Sequence, residues 1–321
     1  MGEMNLVEAV RDALHFEMGQ DEDVIVYGED VGVDGGVFRA TKGLIDEYPD
    51  QVYDSPLAES GIIGTAVGMS VYGLKPVPEI QFSGFVPQGF HQLKQHVTRM
   101  RSRSRGSYNS HITIRTPYGG GIEALEHHSE SFEAAYSHIS GLKVVIPSTP
   151  SDAKGLLISS IREPDPVLFL EPKKIYRAFR EEVPEGEHTV PLGEANVVEE
   201  GEDVTVITWG AMMRETKKAL EGMDVDAEVI DPRTVSPLDS ETIIDSVKRT
   251  GRAVVVQEAS RTGGLSSEIT ARINDEALLH LEAPVKRVTG YDVPYPLLAR
   301  EDAYMPSTKR IRDKIREAVD F

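Results

Sequence analysis

Cysteine is missing from all 321 residues of the chain. Its absence excludes disulfide bonds, zinc sites built on thiolates and a cysteine nucleophile. Long apolar runs are missing too, and no stretch approaches the roughly 18 residues of a membrane-spanning helix. The segment Met1–Val10 carries two acids before any base, which predicts neither a signal peptide nor a transit peptide. We therefore expect a cytoplasmic protein that does not enter a membrane.

Positive charge is scarce, since 34 Lys and Arg residues face 53 Asp and Glu residues, for a formal net charge of -19. Nucleic-acid binding through phosphate contacts is therefore not expected. One basic cluster stands out at the end of a helix predicted over Gly89–Met100, and it suits a helix C-terminus or a subunit contact. It consists of Arg99, Arg101, Arg103 and Arg105. The acidity favours either a solubilising surface or adaptation to high salt, and unfolding on dialysis into low-salt buffer would support the second interpretation.

Several common catalytic motifs are absent as well. The chain has no Walker A loop, no G-x-G-x-x-G after a predicted strand, no G-x-S-x-G nucleophile elbow and no H-E-x-x-H pair. These absences argue against a P-loop nucleotide hydrolase, a Rossmann dinucleotide enzyme, an elbow-type serine hydrolase and a zinc protease of the H-E-x-x-H type.

What is present indicates two α/β domains. A chain of 321 residues exceeds the roughly 250–300 residues at which a single core stops growing. Apolar β-branched runs alternate with helical patterns over residues 24–170, and again over residues 204–318, which predicts parallel sheets covered by helices. The charged segment Pro172–Val190 between them predicts a linker. The expected fold class is α/β with two doubly wound domains, residues 1–185 and 186–321.

Three segments carry residue types that suit chemistry. Glu59 precedes a helix of small residues, and a carboxylate there is either a helix-start acid or a functional group in a low-dielectric cleft. The glycine loop Gly119–Gly121 leads to His127 and His128, and His128 is either a surface or capping histidine or a general acid–base. The segment Gln81–Gln88 places two aromatic residues around a glycine, which suits a flat wall for a ring or a core turn. The residues alone leave each pair of alternatives open.

These segments, in this order, resemble the beta subunit of the heterotetrameric 2-oxoacid dehydrogenase decarboxylases, a family that includes the pyruvate, branched-chain 2-oxoacid and acetoin enzymes. The resemblance covers essentially the whole chain. Each motif alone is weak, and their common order makes the resemblance specific. The motifs are LAESG at Leu57–Gly61, EIQF at Glu79–Phe82, HHSES at His127–Ser131, GLKVVIP at Gly141–Pro147, DAKGLL at Asp152–Leu157, VIDPRT at Val229–Thr234 and QEA at Gln257–Ala259.

The resemblance implies a thiamine pyrimidine-binding domain followed by a transketolase C-terminal-type domain, with thiamine diphosphate as the cofactor. It places Glu59 against the aminopyrimidine ring, where a carboxyl group favours the imino tautomer of the exocyclic amine. Phe85 would stack on that ring, and Leu57 and Gln88 would line its pocket. His128 would lie near the substrate and assist acyl transfer to a lipoyl group, as an acid or as a charge stabiliser.

The resemblance also implies partners. Thiamine enzymes hold the diphosphate and magnesium through a Gly-Asp-Gly motif, which this chain lacks. In the family that motif lies on the alpha subunit, so an alpha2beta2 heterotetramer is expected, with magnesium held by the alpha subunit and a dihydrolipoyl acyltransferase core as a further partner. Pyruvate is the favoured substrate, whereas a branched-chain 2-oxoacid, acetoin or a split transketolase-like role stays open. Potassium is expected at the backbone carbonyls of Ile112, Ser160, Glu163 and Asp165.

Overall fold

The computed structural model describes residues 2–321 and contains two open β-sheets with helices packed against them. The strands are β1 (Gly2–Met4), β2 (Val24–Gly28), β3 (Val52–Asp54), β4 (Lys75–Glu79), β5 (Thr113–Tyr118), β6 (Lys143–Val145), β7 (Val167–Pro172), β8 (Glu181–Val183), β9 (Asn196–Glu199), β10 (Val204–Thr208), β11 (Ala227–Asp231), β12 (Thr234–Ser236), β13 (Ala253–Ser260) and β14 (Lys286–Gly290). The helices are α1 (Leu6–Gln20), α2 (Leu44–Glu47), α3 (Glu59–Tyr72), α4 (Phe90–Gln95), α5 (Met100–Arg103), α6 (Glu133–Ser137), α7 (Pro150–Arg162), α8 (Ala211–Leu220), α9 (Ser240–Thr250), α10 (Leu265–Ala277), α11 (Glu301–Tyr304) and α12 (Thr308–Val319).

The two sheets have the parallel topology that the alternating sequence pattern predicts. The first sheet has 7 strands in the order β12-β6-β7-β5-β4-β2-β3, and its strands run parallel except for β12. The second sheet has 5 strands in the order β14-β13-β10-β11-β9, and only β9 is antiparallel. The predicted α/β class is confirmed.

Two hydrophobic cores run across both sheets. Phe169 of β7 and Val206 of β10 belong to one core, whereas Leu168 and Ile207, one residue away in each strand, belong to the other. Because successive side chains of a strand point to opposite faces, each sheet is covered on both sides. Helix α1 packs on α7 in the first half and α12 packs on α8 in the second half.

Strand β4 lies in the interior of the first sheet although it contains Pro76 and Pro78, and the sequence analysis did not predict it. The N–H of Lys75 donates to Asp23 O, so the odd-numbered residues of β4 face β2. The two prolines therefore face β5, where pairing starts only with Ile80 N donating to the Arg115 carbonyl at 2.9 Å. Missing N–H groups are tolerated on that side because no ladder bond is required there.

The segment Pro172–Val190 is not the simple linker that its charge predicts. It contains β8, which pairs antiparallel with β1 at the start of the chain, and Val183 and Val190 are buried. The division after residue 185 stays a prediction. The strand β12, which follows that division in the chain, nevertheless pairs with β6 of the first sheet.

The helix predicted over Gly89–Met100 is broken. Helix α4 ends at Gln95, a 3-10 turn covers Val97–Arg99, and α5 adds one more turn. The basic cluster therefore lies on a bent segment rather than on one helix. Within it, Arg101 forms an ion pair with Asp165 at 2.6 Å. None of the helices described between residues 2 and 321 has the length and apolar character of a membrane span.

Candidate active site

The loops that carry the predicted site residues leave the first sheet at one edge. Glu59 follows β3, Phe85 follows β4, His128 follows β5 and Lys173 follows β7, and these strands are parallel. In open α/β sheets, ligands bind outside the carboxyl ends of the strands. The topology therefore gathers these residues on the side of the sheet where a binding site is expected.

Glu59 is a buried carboxylate at the first position of α3, with 5% of its surface exposed. The residue before it, Ala58, offers no side-chain cap. Within residues 2–321, the Glu59 carboxyl group makes no hydrogen bond or ion pair. Glu59 also acts on a second carboxyl group, that of Glu29. Burial raises the pKa of Glu29, and the negative charges of Asp30 and Glu59 raise it further. The oxygens of Glu59 are not among the enclosed polar atoms, so an unpaired carboxyl group is accessible to a ligand at this edge of the sheet, which favours the functional interpretation of Glu59 over the helix-start acid.

Four rings form an aromatic wall (Phe82, Phe85, His127 and His128). The His128 ring centroid lies 4.3 Å from that of Phe82 and 5.3 Å from that of Phe85, both edge-to-face. His127 lies 5.5 Å from Phe85. A methyl group on Gly84 would lie 1.9 Å from the His127 carbonyl oxygen, so only glycine allows the two segments to meet. The structure thus brings Phe85 and His128 together, as their predicted roles require.

The surroundings of His128 favour the neutral form of its imidazole ring. Burial lowers its pKa, and the nearby positive charges of His127 and Lys173 lower it further. Its Nδ1 atom is buried and has no hydrogen-bond partner in the described part of the chain. A neutral imidazole with an available nitrogen can accept or return a proton near neutral pH.

Leu57 and Gln88 lie at the open side of this region. Leu57 is 67% exposed and Gln88 is also exposed. A methyl group on Gly89 would lie 3.1 Å from the Glu59 carbonyl oxygen and 2.5 Å from Ile63 Cδ1, so the turn that carries Gln88 packs on the first turns of α3. The roles of Glu59, Leu57 and Gln88 toward a cofactor stay predictions.

Beneath the aromatic wall lies a buried ionic group, the Arg115 cluster (Arg115, Glu79, Glu171 and Tyr176). The guanidinium group of Arg115 lies 3.0 Å from Glu79 and 2.7 Å from Glu171, and Tyr176 donates to Glu171 at 2.6 Å. Burial alone would lower the pKa of Arg115, but the charges of Glu171 and Glu79 raise it above its ordinary value. Phe38 packs 5.2 Å from Tyr176 and 5.7 Å from the nearest ring of the wall, and so connects the two groups.

Lys173 is a functional candidate to which the sequence analysis gave no role. Its side chain is 3% exposed, its Nζ lies 5.6 Å above the Phe82 ring, and it donates to the Gly119 carbonyl. Burial lowers the pKa of Lys173 to about 7, against the opposing charges of Glu258 and Glu301. The available signal was its place directly after β7, at the carboxyl edge of the parallel sheet.

The positions predicted to bind potassium lie together near the start of β5 and β7. The Ser160 carbonyl accepts a hydrogen bond from Thr113 Oγ1 at 2.8 Å. The Ile112 carbonyl accepts one from Val167 N at 2.9 Å. The carboxylates of the other two positions, Glu163 and Asp165, form ion pairs with Lys143 and Arg101, each at 2.6 Å. Among residues 2–321, no group of three or more His, Cys, Asp and Glu side chains is arranged to hold a metal ion.

Comparison with solved structures supports the fold. The chain matches a split-gene transketolase, described as an inactive beta4 tetramer, with a TM-score of 0.81 over 99% of each chain. The two sequences are 22% identical, so this likeness concerns the fold alone.

Comparison with known sequences identifies the family. Residues 2–178 match the transketolase pyrimidine binding domain and residues 193–311 match the transketolase C-terminal domain. The chain is 51% identical to the pyruvate dehydrogenase E1 component subunit beta of Bacillus subtilis (strain 168), over 100% of both chains. It is 50% identical to the same subunit of Staphylococcus aureus (strain Mu50 / ATCC 700699), again over 100% of both, and 49% identical to that of Acholeplasma laidlawii, over 99% of this chain and 98% of the relative. The chain therefore belongs to the family of pyruvate dehydrogenase E1 beta subunits, which are components of thiamine-dependent 2-oxoacid dehydrogenases.

Proposed function

We propose that this chain, with an alpha subunit, decarboxylates a 2-oxoacid on thiamine diphosphate and transfers the acyl group to a lipoyl group of an acyltransferase core. The observation that carries the proposal is the carboxyl group of Glu59, a residue only 5% exposed, which begins α3 without a protein partner. Pyruvate is the favoured substrate, because the relatives at about half identity bear the name of the pyruvate enzyme.

The residues of this chain would divide the work as follows. Thiamine diphosphate, when bound, supplies the electron sink that decarboxylation needs. Glu59 would hold a proton at the pyrimidine ring nitrogen, Phe85 would offer a ring face, and Leu57 and Gln88 would border the ring. His128, whose pKa burial lowers, would take up the proton released as the acyl carbonyl forms and return it to the sulfur freed when the lipoyl disulfide opens, while the other sulfur takes the acyl group.

The decisive variant is Glu59→Gln in the complex co-expressed with its alpha subunit. We expect the rate of 2-oxoacid decarboxylation to fall by about 10²–10⁴-fold, since a general acid–base typically contributes that much. The matched control is Glu268→Gln, which removes an exposed first-turn acid of α10 that pairs with Arg272. The control should keep full activity, and a Glu59→Gln enzyme with full activity would refute the role of Glu59.

The substrate is best settled by a panel assayed with a lipoyl acceptor. Pyruvate, branched-chain 2-oxoacids, 2-oxoglutarate and acetoin should be compared by kcat/KM on the same complex. We expect the highest value for pyruvate. Turnover of sugar phosphates without any lipoyl acceptor would instead favour the split transketolase-like role.

Four further parts of the proposal concern ions, partners and location. Magnesium would be held by the alpha subunit, in an alpha2beta2 assembly that lies in the cytoplasm and docks on the acyltransferase core. Size-exclusion chromatography with light scattering tests the assembly, and co-purification tests the docking.

Potassium would bind at the backbone carbonyls of Ile112, Ser160, Glu163 and Asp165, whose segments are joined through Thr113 and Val167. The prediction is that potassium raises the melting temperature of the complex more than sodium does at equal ionic strength. Equal melting temperatures in the two salts would remove the potassium site.

A further inference from the structure

The two ends of the loop 119–130, which carries His128, are hydrogen-bonded to each other. Gly119 N donates to the Glu130 carbonyl at 3.3 Å, and both ends of the loop meet one carboxylate from the second half of the chain. Oε1 of Glu258, at the end of β13, accepts from Gly120 N at 3.2 Å and from Ser131 Oγ at 2.6 Å. A methyl group on Gly119 would lie 2.0 Å from the same oxygen, so the approach requires glycine there.

A second carboxylate holds the outer part of the loop. Glu301, the first residue of α11, is buried and accepts from Gly121 N and from Glu123 N, each at 2.9 Å. Tyr295 donates to the same carboxylate at 2.6 Å. Glu123 has φ 55°, a left-handed conformation that side-chain-bearing residues rarely adopt. The hydrogen bond from its N–H to Glu301 therefore compensates a strained backbone.

These contacts cross the boundary between the two halves of the molecule. The partners are separated by 138 residues for Gly120 and Glu258, and by 180 and 178 residues for the two backbone bonds of Glu301. On the side of the first half, the Ser83 hydroxyl donates to the Glu130 carbonyl at 2.8 Å, Lys173 donates to the Gly119 carbonyl, and Gly84 lies against the His127 backbone. The second half thus accepts the hydrogen bonds from the backbone N–H groups of Gly120, Gly121 and Glu123, in the segment that precedes His128.

We propose that Glu301, with Glu258, is a positioning residue of the reaction, which fixes the loop 119–130 from the second half of the chain and thereby holds His128 against Phe82 and Phe85. This inference rests on the proposed function for its kinetic consequence. Its structural part, the restraint of the loop, stands independently of any activity. A displacement of about 1 Å in a catalytic group is enough to cost about 10²-fold in rate.

The test uses the complete complex with its alpha subunit and compares Glu301→Gln with Tyr295→Phe and Asp239→Asn. Asp239 is the matched control, because its carboxylate also accepts three hydrogen bonds, from Ala195 N, Thr242 N and Thr242 Oγ1, but caps α9 and holds no part of the loop. Glutamine at position 301 cannot accept at both oxygen positions, so at least one backbone bond is lost. Phenylalanine at position 295 keeps the ring and removes one of the three donors.

The first readout is amide hydrogen exchange of residues 119–130. We expect it to accelerate by about 10-fold or more in Glu301→Gln, less in Tyr295→Phe and not at all in Asp239→Asn. The second readout separates two steps. Reductive acylation of the lipoyl group should fall by about 10-fold or more, whereas deuterium exchange at the reactive thiamine carbon, which depends on Glu59, should stay within about 2-fold.

Unchanged loop exchange in Glu301→Gln overturns the proposal, and so does an equal loss of both steps, which would indicate a general structural defect. If Glu301→Gln does not assemble, Tyr295→Phe decides by the same two criteria. A wild-type complex that lacks 2-oxoacid activity would reject the proposed function, and the exchange measurement would still report on the restraint of the loop.

Discussion

The molecule has two groups of buried charges that differ in how completely their members are matched. The Arg115 cluster lies within the first half, where one guanidinium group meets two carboxylates and Tyr176 donates to Glu171, and of the enclosed polar atoms of this cluster only Arg115 Nε and Glu171 Oε1 lack a hydrogen bond among the described residues. The junction cluster (Glu133, Lys173, Glu258 and Glu301) lies where the two halves meet. There, Glu133 is 0% exposed, and neither of its carboxylate oxygens has a hydrogen-bond partner in the described residues.

This difference separates a structural role from a titratable one. In the Arg115 cluster, opposite charges keep the guanidinium ionised at any physiological pH. In the junction cluster, burial raises the pKa of Glu133 and lowers that of Lys173, so both lie at about 7. Because Lys173 also lies over the Phe82 ring of the aromatic wall, the junction cluster borders the candidate active site directly.

The largest change in the free energy of unfolding is expected from removing the cation of the Arg115 cluster. Arg115→Met leaves Glu79 and Glu171 buried without their cation, and we expect the free energy of unfolding to fall by about 3–5 kcal/mol. Chemical denaturation of the complex measures the loss. The control Arg101→Met removes a half-exposed pair with Asp165 and should cost less than about 1 kcal/mol. Equal losses in the two variants would contradict the distinction.

A smaller change, which increases the free energy of unfolding, is expected in the junction cluster. The pKa of Glu133 is raised to about 7 by burial, so the stability present below its ordinary value of 4.5 is lost as pH rises toward 7. Glu133→Gln mimics the protonated form and should stabilise the protein by about 2–3 kcal/mol at pH 8, with no gain at pH 4. Thermal unfolding of both proteins across this pH range checks the prediction, and a constant difference between them would refute it.

The smallest effect is expected on the pKa of His128, and it tests whether Lys173 of the junction cluster acts on the candidate active site. The pKa of His128 is lowered by burial first and then by His127 and Lys173, so Lys173→Met should raise it. The acid limb of the kcat/KM profile for the lipoyl acceptor should shift to higher pH. His128→Asn should abolish the limb, and a limb that survives this change would belong to another group.

Local sequence patterns predicted most of the fold. The alternation of apolar runs located most parallel strands of both sheets but not β3, β4, β9 or β12, because strands buried on both faces are the ones with nearly continuous apolar runs. Strand β4 escaped prediction because Pro76 and Pro78 normally argue against an interior strand, and only its register relative to β5 makes them acceptable. Strand β8 escaped because its partner β1 lies at the other end of the first half.

The site was less predictable, for a physical reason. Neither Glu59 nor His128 could be assigned a function from local sequence, and only the order of motifs along the chain favoured catalysis. The structure adds that the Glu59 carboxyl group has no protein partner among the described residues and that burial lowers the pKa of His128. Lys173, Glu258 and Glu301 meet the glycine loop across 54 to 180 residues of chain, and no local periodicity encodes such contacts.

The strand β12 also has a consequence for how the protein is made. It covers β6, the outermost parallel strand of the first sheet, yet it is synthesised only after residue 233. Until then, the nascent first half presents an open strand edge, which is a template for pairing with another chain. The first half therefore depends on the second during synthesis, because β12 must be made before the β6 edge is covered and protected from aggregation.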